Sequence, residues 1–586
     1  MIQAQPIQRE ALWSAFLIAV PAFAAMRAGG EVLTLYQVQS QDAPVMIGCA
    51  VLILGLALHS PRCSVPTQLP SNRSLIALGL ACVLGLGAGT YWLMGNFPVS
   101  RDEQMVVFDM AVFGKWQLAT PLVPQWREYA QALVPDFLIN SDHPAALVSD
   151  YLPMNAMLRL AFAQVADPAF FNPCLVLLGG IALWDIAARI FGDDVRARWV
   201  VLLAYGLSSQ MLVTAMTTYA MTAHMALNLL WLAAFLRGGK AGHSIAIFAA
   251  FLAVGLHQIV FHPIFAAPFI VWRLREGQWK TVLLYGAGYL CIFGWWATYP
   301  HLVTQSTGVS ALGSGESGSL LAKVKLLLLR DGVGTLPLMM LNFLRFFAWQ
   351  HLALLPLLVA AAPLACRERS LAGPLWWGTG GLIFLVTFML PYQGHGWGYR
   401  YLHPFLGSFA LLAGFGYRQI ADRVGRQADG MVLVLSGATL CLSVPWLFAT
   451  TYAFVKPHVS LEHLIAGQKT RFVVVDTEIL PSLDGRWTAN AVDHVRNLPD
   501  LSNAPLRFSS RNLTPQMLAS LCDRGTVSAV ARADMRKLGF ATNSPVASPE
   551  LEKLMRGIAD RPCLRRPNLT VADDQPEWTK KAALPG

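Results

Sequence analysis

The chain has 586 residues, 55% of them hydrophobic and only 13% charged, with a mean hydropathy of +0.47. This composition excludes an ordinary soluble globular protein and indicates a polytopic membrane protein. The formal charge of +10 does not indicate nucleic acid, because Lys and Arg fall mostly in short links between apolar runs. Nine cysteines are spread out without a CxxC, and most lie inside apolar segments, which argues against a zinc site or a disulfide scaffold. Only Cys522 and Cys563 fall in the polar C-terminal region, and these are the two that could pair.

Residues 1–10 are followed by an apolar stretch, 11–26, without a small-residue cleavage site, which reads as a retained first helix rather than a signal peptide. Runs long enough to span a bilayer lie at about 11–27, 44–59, 74–95, 170–190, 198–216, 220–237, 244–258, 262–274, 281–300, 340–365, 374–392, 402–418 and 429–453, about thirteen helices. The runs 244–258 and 262–274 are short and suggest a bent pair or a re-entrant hairpin.

Counted from an inside N-terminus, the links carrying Arg62 and Arg73, Arg189 to Arg198, Arg237 and Lys240, Arg273 to Lys280, Arg367 and Arg369, and Arg418 to Arg426 all fall on the cytoplasmic side of an inner (plasma) membrane. Segments 28–43, 96–169, 301–335, 391–401 and the tail then lie outside. Within 96–169, Met105, Val106, Phe108, Val112, Phe113, Trp116 and Leu118 recur at helical spacing and predict a helix lying in the interface, with a second beginning near Leu152. The Gly- and Ser-rich 301–335 segment reads as a mobile external loop, suited to a lid or equally to a plain linker. The division is therefore a membrane domain, 1–455, and a small extracytoplasmic α/β domain, 456–586. The latter has strands near 471–476 and 526–531 and helices near 514–521 and 548–558. It carries no GxGxxG, GxxxxGK or GxSxG, so no chemistry is assigned to it.

Asp102 and Glu103 follow the 74–95 run directly, where a general base acting on a lipid-borne substrate has to sit. Asp102 is the first choice for that base, with Glu103 and Asp109 in reserve; Asp109 lies two turns further along the Asp102 face. The bland alternative is that Asp102 caps the interfacial helix. A departing phosphate needs a cation, and Arg400 in Gly394-His395-Gly396-Trp397-Gly398-Tyr399-Arg400-Tyr401-Leu402-His403-Pro404 is the candidate, its alternative role being that of an aromatic-belt anchor. Tyr399, Tyr401 and His395 are candidate substrate contacts beside it. His143, His257 and His262 are each read first as satisfied single histidines, with His143 and His262 kept as candidate contacts. No cofactor is expected; a divalent metal between Asp102 and a histidine is the minor alternative.

Three features together resemble the GT-C superfamily of polyprenyl-phosphate-sugar-dependent glycosyltransferases, the class that includes protein O-mannosyltransferases and aminoarabinose transferases: Asp102-Glu103 at the start of the first large external loop, His143-Pro144 later in it, and Gly398-Tyr399-Arg400-Tyr401 before a late helix. The resemblance covers roughly 70–455. It implies a GT-C-like α-helical membrane fold and a polyprenyl-phosphate-sugar donor. It also implies an extracytoplasmic glycan, lipid or protein acceptor, Asp102 as base or metal-linked acid, and Arg400 on the lipid phosphate. Departures are the two helices that precede the usual first one, Ala145 in place of a second proline, and the C-terminal domain; they leave donor sugar and acceptor open. The rivals are an O-antigen polymerase or ligase, expected to have arginine-rich external loops, and a flippase or transporter. A transporter would carry charges deep in its spans, where this chain has only Asp185 and Arg345.

Overall fold

Apolar length sets the architecture. The computed structural model describes residues 6–29, 33–58, 61, 63–135, 137–139, 144–307, 309, 336–367, 370–390, 394, 396–477, 494–540 and 547–565. Among these, six helices are long and apolar enough to cross a membrane: Leu33–Leu58, Arg73–Trp92, Pro168–Phe191, Trp279–Thr307, Ala372–Met389 and Arg426–Ala466. Shorter apolar helices include Ala11–Arg27, Gly239–Val254, Leu336–Ala348 and Leu354–Cys366. Many apolar side chains on these helices face outward, such as Leu78 at 67% exposure and Leu84 at 64%. That is the expected arrangement where lipid rather than water surrounds the helix.

Helices approach closely where side chains are small. In Leu406–Val424 a Cβ at Gly416 would fall on the Leu357 carbonyl, so only glycine permits the contact with Leu354–Ala361. Both charges noted within the spans are paired. Asp185 accepts from Arg189 at 3.0 Å and lies 3.8 Å from Arg237, and Arg345 meets Asp42 at 3.1 Å.

Local signals refine several expected elements. The 198–216 run is broken into Val195–Gly206 and Ser209–Thr214, because the Ser208 side chain caps the second helix by accepting from the Met211 N–H at 3.2 Å. The paired short runs form two separate helices, Gly239–Val254 and Phe261–Arg275, with His257 in the link. Residues 301–307 continue the helix Trp279–Thr307, whereas most of the expected lid, 308 and 310–335, lies outside the described residues.

The segment 96–169 holds the interfacial helix Arg101–Phe113 and a second helix, Met154–Ala163. A short antiparallel pair joins them, β1 (Thr120–Pro121) and β2 (Ala146–Leu147). After the last span comes a parallel three-stranded sheet of β3 (Phe472–Val475), β4 (Leu506–Ser509) and β5 (Val527–Val530) in the order β4-β3-β5, with Phe472 opposite both Leu506 and Val527. Helices Pro515–Arg524 and Pro549–Arg556 flank it, and Cys522 and Cys563 are joined in a disulfide.

The sheet is tied to the membrane part from both sides. The 41-residue helix Arg426–Ala466 measures roughly 60 Å at 1.5 Å per residue, about twice the hydrocarbon thickness, so its end projects beyond the bilayer. There Leu461 and Ile465 pack on Val473 and Val475. The alternate residues Phe472 and Val474 turn to the opposite face and pack in one cluster with Trp126, Tyr129, Met105 and Phe108 of the 96–169 segment. Sheet and interfacial helix thus form a single packed body.

Candidate active site

The interfacial helix starts where its sequence says it should. Ser100 is extended, and its hydroxyl accepts from the Glu103 N–H at 3.3 Å. The Glu103 carboxylate in return accepts from the Ser100 N–H at 3.2 Å and the Val99 N–H at 3.1 Å. This reciprocal cap is made by Ser100 and Glu103, so the alternative reading of Asp102 as the cap does not hold. Glu103 also accepts from the Thr218 N–H at 3.3 Å, tying the helix to the loop after Ser209–Thr214.

Asp102, one position earlier, faces elsewhere, because successive helical residues do not share a face. Its carboxylate receives the Tyr151 hydroxyl on one oxygen and an Arg400 guanidinium nitrogen on the other. The side chains of Arg400 and Asp102 are 7% and 14% exposed. Tyr151 stacks on His257 with ring centroids 4.9 Å apart, and the Arg400 guanidinium lies over the rings of Tyr219 at 5.5 Å and Tyr401 at 5.4 Å. Asp102 and Asp109 both border a small cavity of about 20 Å³, together with Tyr151, Tyr219 and His257.

Arg400 comes from a loop that is held from behind. Buried Arg345 donates to the Gly394 carbonyl at 2.6 Å and the Gly396 carbonyl at 2.7 Å, while its Nε donates to Asp42. Trp349 donates to the other Asp42 oxygen at 2.7 Å. Gln210 donates to the Tyr399 carbonyl at 2.9 Å. At Gly398, with φ +62°, a Cβ would meet Gln210 Oε1 at 2.6 Å, so glycine is required there on both counts. Asp42 belongs to the helix Leu33–Leu58, so the additional N-terminal helices help to fix the loop that carries Arg400.

Burial would raise the Asp102 carboxyl, but Arg400, His257 and the Tyr151 hydroxyl outweigh it and hold the group at about 2. His257 moves down to about 4, burial outweighing the nearby carboxylate. Glu103 is pushed up to about 7 by burial, against its backbone hydrogen bonds from Thr218 and Ser100. Asp109 is pushed up to about 8 by burial, with only the Ser149 hydroxyl at 3.0 Å opposing.

A carboxyl raised on folding binds its proton more tightly in the native state. Its contribution is therefore complete below the unfolded value, about 3.9, and is lost as pH rises through about 8. Asp109→Asn keeps an oxygen for Ser149 and does not ionise. Relative to the parent, its melting temperature is expected to be at its lowest below about pH 4 and to gain steadily as pH rises to about 8, and parallel pH-dependent melting curves for the two proteins would refute this.

Of the other candidates, Tyr401 lies beneath Arg400. Tyr399 directs its hydroxyl away, 3.8 Å from the Met339 sulfur, with its ring against Phe343, and it borders the site through an edge-on contact with the Tyr401 ring at 6.0 Å. His262 is not brought to it either: its ring is hydrogen-bonded to Asn228 at 2.7 Å and to Tyr289 at 2.9 Å. His143 and His395 lie outside the described residues. The structure adds Tyr151 and Tyr219, and it moves His257 from a single satisfied histidine to the edge of the Asp102 site. No group of three His, Cys, Asp or Glu side chains suited to a metal occurs among the described residues.

No protein-family model matches the chain, and no curated protein matches it. Among solved structures it is similar to ArnT from Cupriavidus metallidurans bound to undecaprenyl phosphate, with 13% identity over 73% of this chain and 86% of that chain and a TM-score of 0.49. It is also similar to ArnT from the same organism in the apo state, with 13% identity over 82% and 97% and a TM-score of 0.44.

Proposed function

We propose that this protein is an integral membrane glycosyltransferase of the GT-C kind, moving a sugar from a polyprenyl-phosphate donor to an extracytoplasmic acceptor. The observation that carries the reading is the Asp102–Arg400 pair. An acid and a base from elements 298 residues apart meet, nearly buried, at the first turn of a helix that follows a membrane-length span directly.

In this reading the acceptor hydroxyl oxygen forms a bond to the anomeric carbon while the bond from that carbon to the phosphate oxygen breaks. The electron pair leaves with the polyprenyl phosphate, and the acceptor proton passes to Asp102. The phosphate gains a negative charge as it leaves, and Arg400 is the cation placed to meet it. While paired with Arg400, Asp102 is a weak base. A donor phosphate that draws Arg400 away removes the largest influence lowering the carboxyl, leaves the effect of burial, and so raises its basicity once donor is in place.

The direct test is transfer of a labelled sugar from a polyprenyl-phosphate donor by the purified protein. Absence of transfer across the common polyprenyl-phosphate sugars would overturn the reading. Sidedness is tested separately. A reporter active only outside the cytoplasm is expected to be active when fused after Ser460 and silent when fused after Gly425. The opposite pattern would place Asp102 on the wrong side for a flipped donor.

A further inference from the structure

A second, much larger space lies on the Glu103 side of the interfacial helix. It is an open cavity of about 500 Å³, lined by that helix, the helix Met154–Ala163, residues 167–169, the loop Met216–Thr218 and residues within 496–507 beside the sheet. Thr90, Asn96 and Phe97 border it where the span Arg73–Trp92 ends, so it meets the membrane surface. Its size suits a small polar ligand or the head of a larger one.

Arg159 lines this cavity and is 2% exposed. Its Nη1 donates to the Pro168 carbonyl at 2.9 Å and its guanidinium lies over the Phe171 ring at 4.8 Å, but Nε and Nη2 have no hydrogen-bond partner. Buried donors on a charged group are costly unless acceptors reach them. Across the cavity the Arg496 guanidinium lies 3.7 Å from the Phe97 ring centroid and donates to the Pro98 carbonyl. Arg507 is committed to Glu462 through two bonds of 2.6 and 2.7 Å. The acids that face the space are themselves engaged. Glu103 holds the helix cap and Thr218, while Asp167 accepts from the Ala169 N–H at 2.9 Å and from the Tyr91 hydroxyl.

We propose that this cavity is an oxyanion site in which Arg159, assisted by Arg496, holds a phosphate or carboxylate group of a ligand arriving at the membrane surface. Resting on the transferase reading, that ligand is an acceptor bearing such a group, since Arg400 on the other face of the helix is assigned to the donor. The Nε and Nη2 edge of the Arg159 guanidinium matches the paired oxygens of either group, and because both atoms are buried the side chain must turn toward the cavity to receive them.

The test uses the full chain in nanodiscs of zwitterionic lipid, in the background Asp102→Asn/Arg400→Gln, which disables the donor clamp while leaving no unpaired charge. Farnesyl phosphate, inorganic phosphate and glucuronate are titrated as probes for a lipid-borne phosphate, a free phosphate and a soluble carboxylate. At least one is expected to bind, and adding Arg159→Gln is expected to weaken it tenfold or more, with Arg159→Lys recovering part of the loss. Val107, 45% exposed on the cavity wall, gives a second route, because Val107→Trp narrows the space while leaving the Arg159 side chain itself in place. It is expected to weaken the same probe to a similar extent, and it decides the matter if Arg159→Gln does not fold. Binding by none of the probes, or affinity unchanged in Arg159→Gln or Val107→Trp, would overturn the site. Sugar transfer by the parent is measured in parallel, so a failed site with intact transfer is distinguished from a failed transferase reading with an intact site.

Discussion

Asp102→Asn is expected to lower sugar transfer by a factor on the order of 10² to 10⁴, the usual effect of removing a general base. Asn keeps an oxygen for the Tyr151 hydroxyl and leaves the Ser100–Glu103 cap untouched, so the first turn of the helix should persist. It does remove the partner of Arg400, and breaking a nearly buried ion pair from one side destabilises by about 3 kcal/mol. A simple loss of activity could therefore reflect a weakened fold. The control is Asp102→Asn/Arg400→Gln, in which the two positions are neutral again: melting temperature should recover towards the parent while turnover stays low. If Asp102→Asn turns over within a few-fold of the parent at matched folded protein, Asp102 is not the base. Asp109, on the same small cavity, would then be examined next.

Much of the fold can be read from local signals. Apolar length marks the spans, and the run Phe472-Val473-Val474-Val475 marks a buried strand, because its β-branched residues alternate between two packed faces. Ser100 with Glu103 three residues later is a capping-box pattern; assigning the cap to Asp102 overlooked the serine two positions before it. Ser208 is a similar local signal inside an apolar run. The site is different in kind. Asp102 and Arg400 could be singled out by residue type and position, but the ion pair between them spans 298 residues and depends on packing. Tyr151 and Tyr219 carry no pattern of their own, and His257 reads as one more histidine among apolar neighbours until the fold stacks it on Tyr151. Arg345 looked like an isolated charge in a span. Its meaning comes from Asp42 on the N-terminal helices and from two glycine carbonyls in the Arg400 loop.

Arg400→Lys separates a phosphate clamp from a structural partner of Asp102. Lysine keeps a positive charge for the carboxylate, so the pair and the fold should largely survive. It loses the planar fork that can hold two phosphate oxygens, and the stacking over Tyr219 and Tyr401. The loss expected for such a charge-assisted contact is on the order of 1–3 kcal/mol, or roughly 5- to 150-fold weaker donor binding. kcat should fall as well, because the guanidinium meets a charge that grows in the transition state. The pH profiles carry an independent sign. In free enzyme Arg400, with His257 and Tyr151, holds Asp102 down at about 2, so the acid limb of kcat/KM for Asp102 lies at very low pH. If donor phosphate engages Arg400, burial then dominates at Asp102, and the acid limb of kcat should lie at higher pH than that of kcat/KM. Donor affinity unchanged in Arg400→Lys, together with coincident acid limbs, would reduce Arg400 to a structural counter-ion and leave the donor phosphate to be held elsewhere.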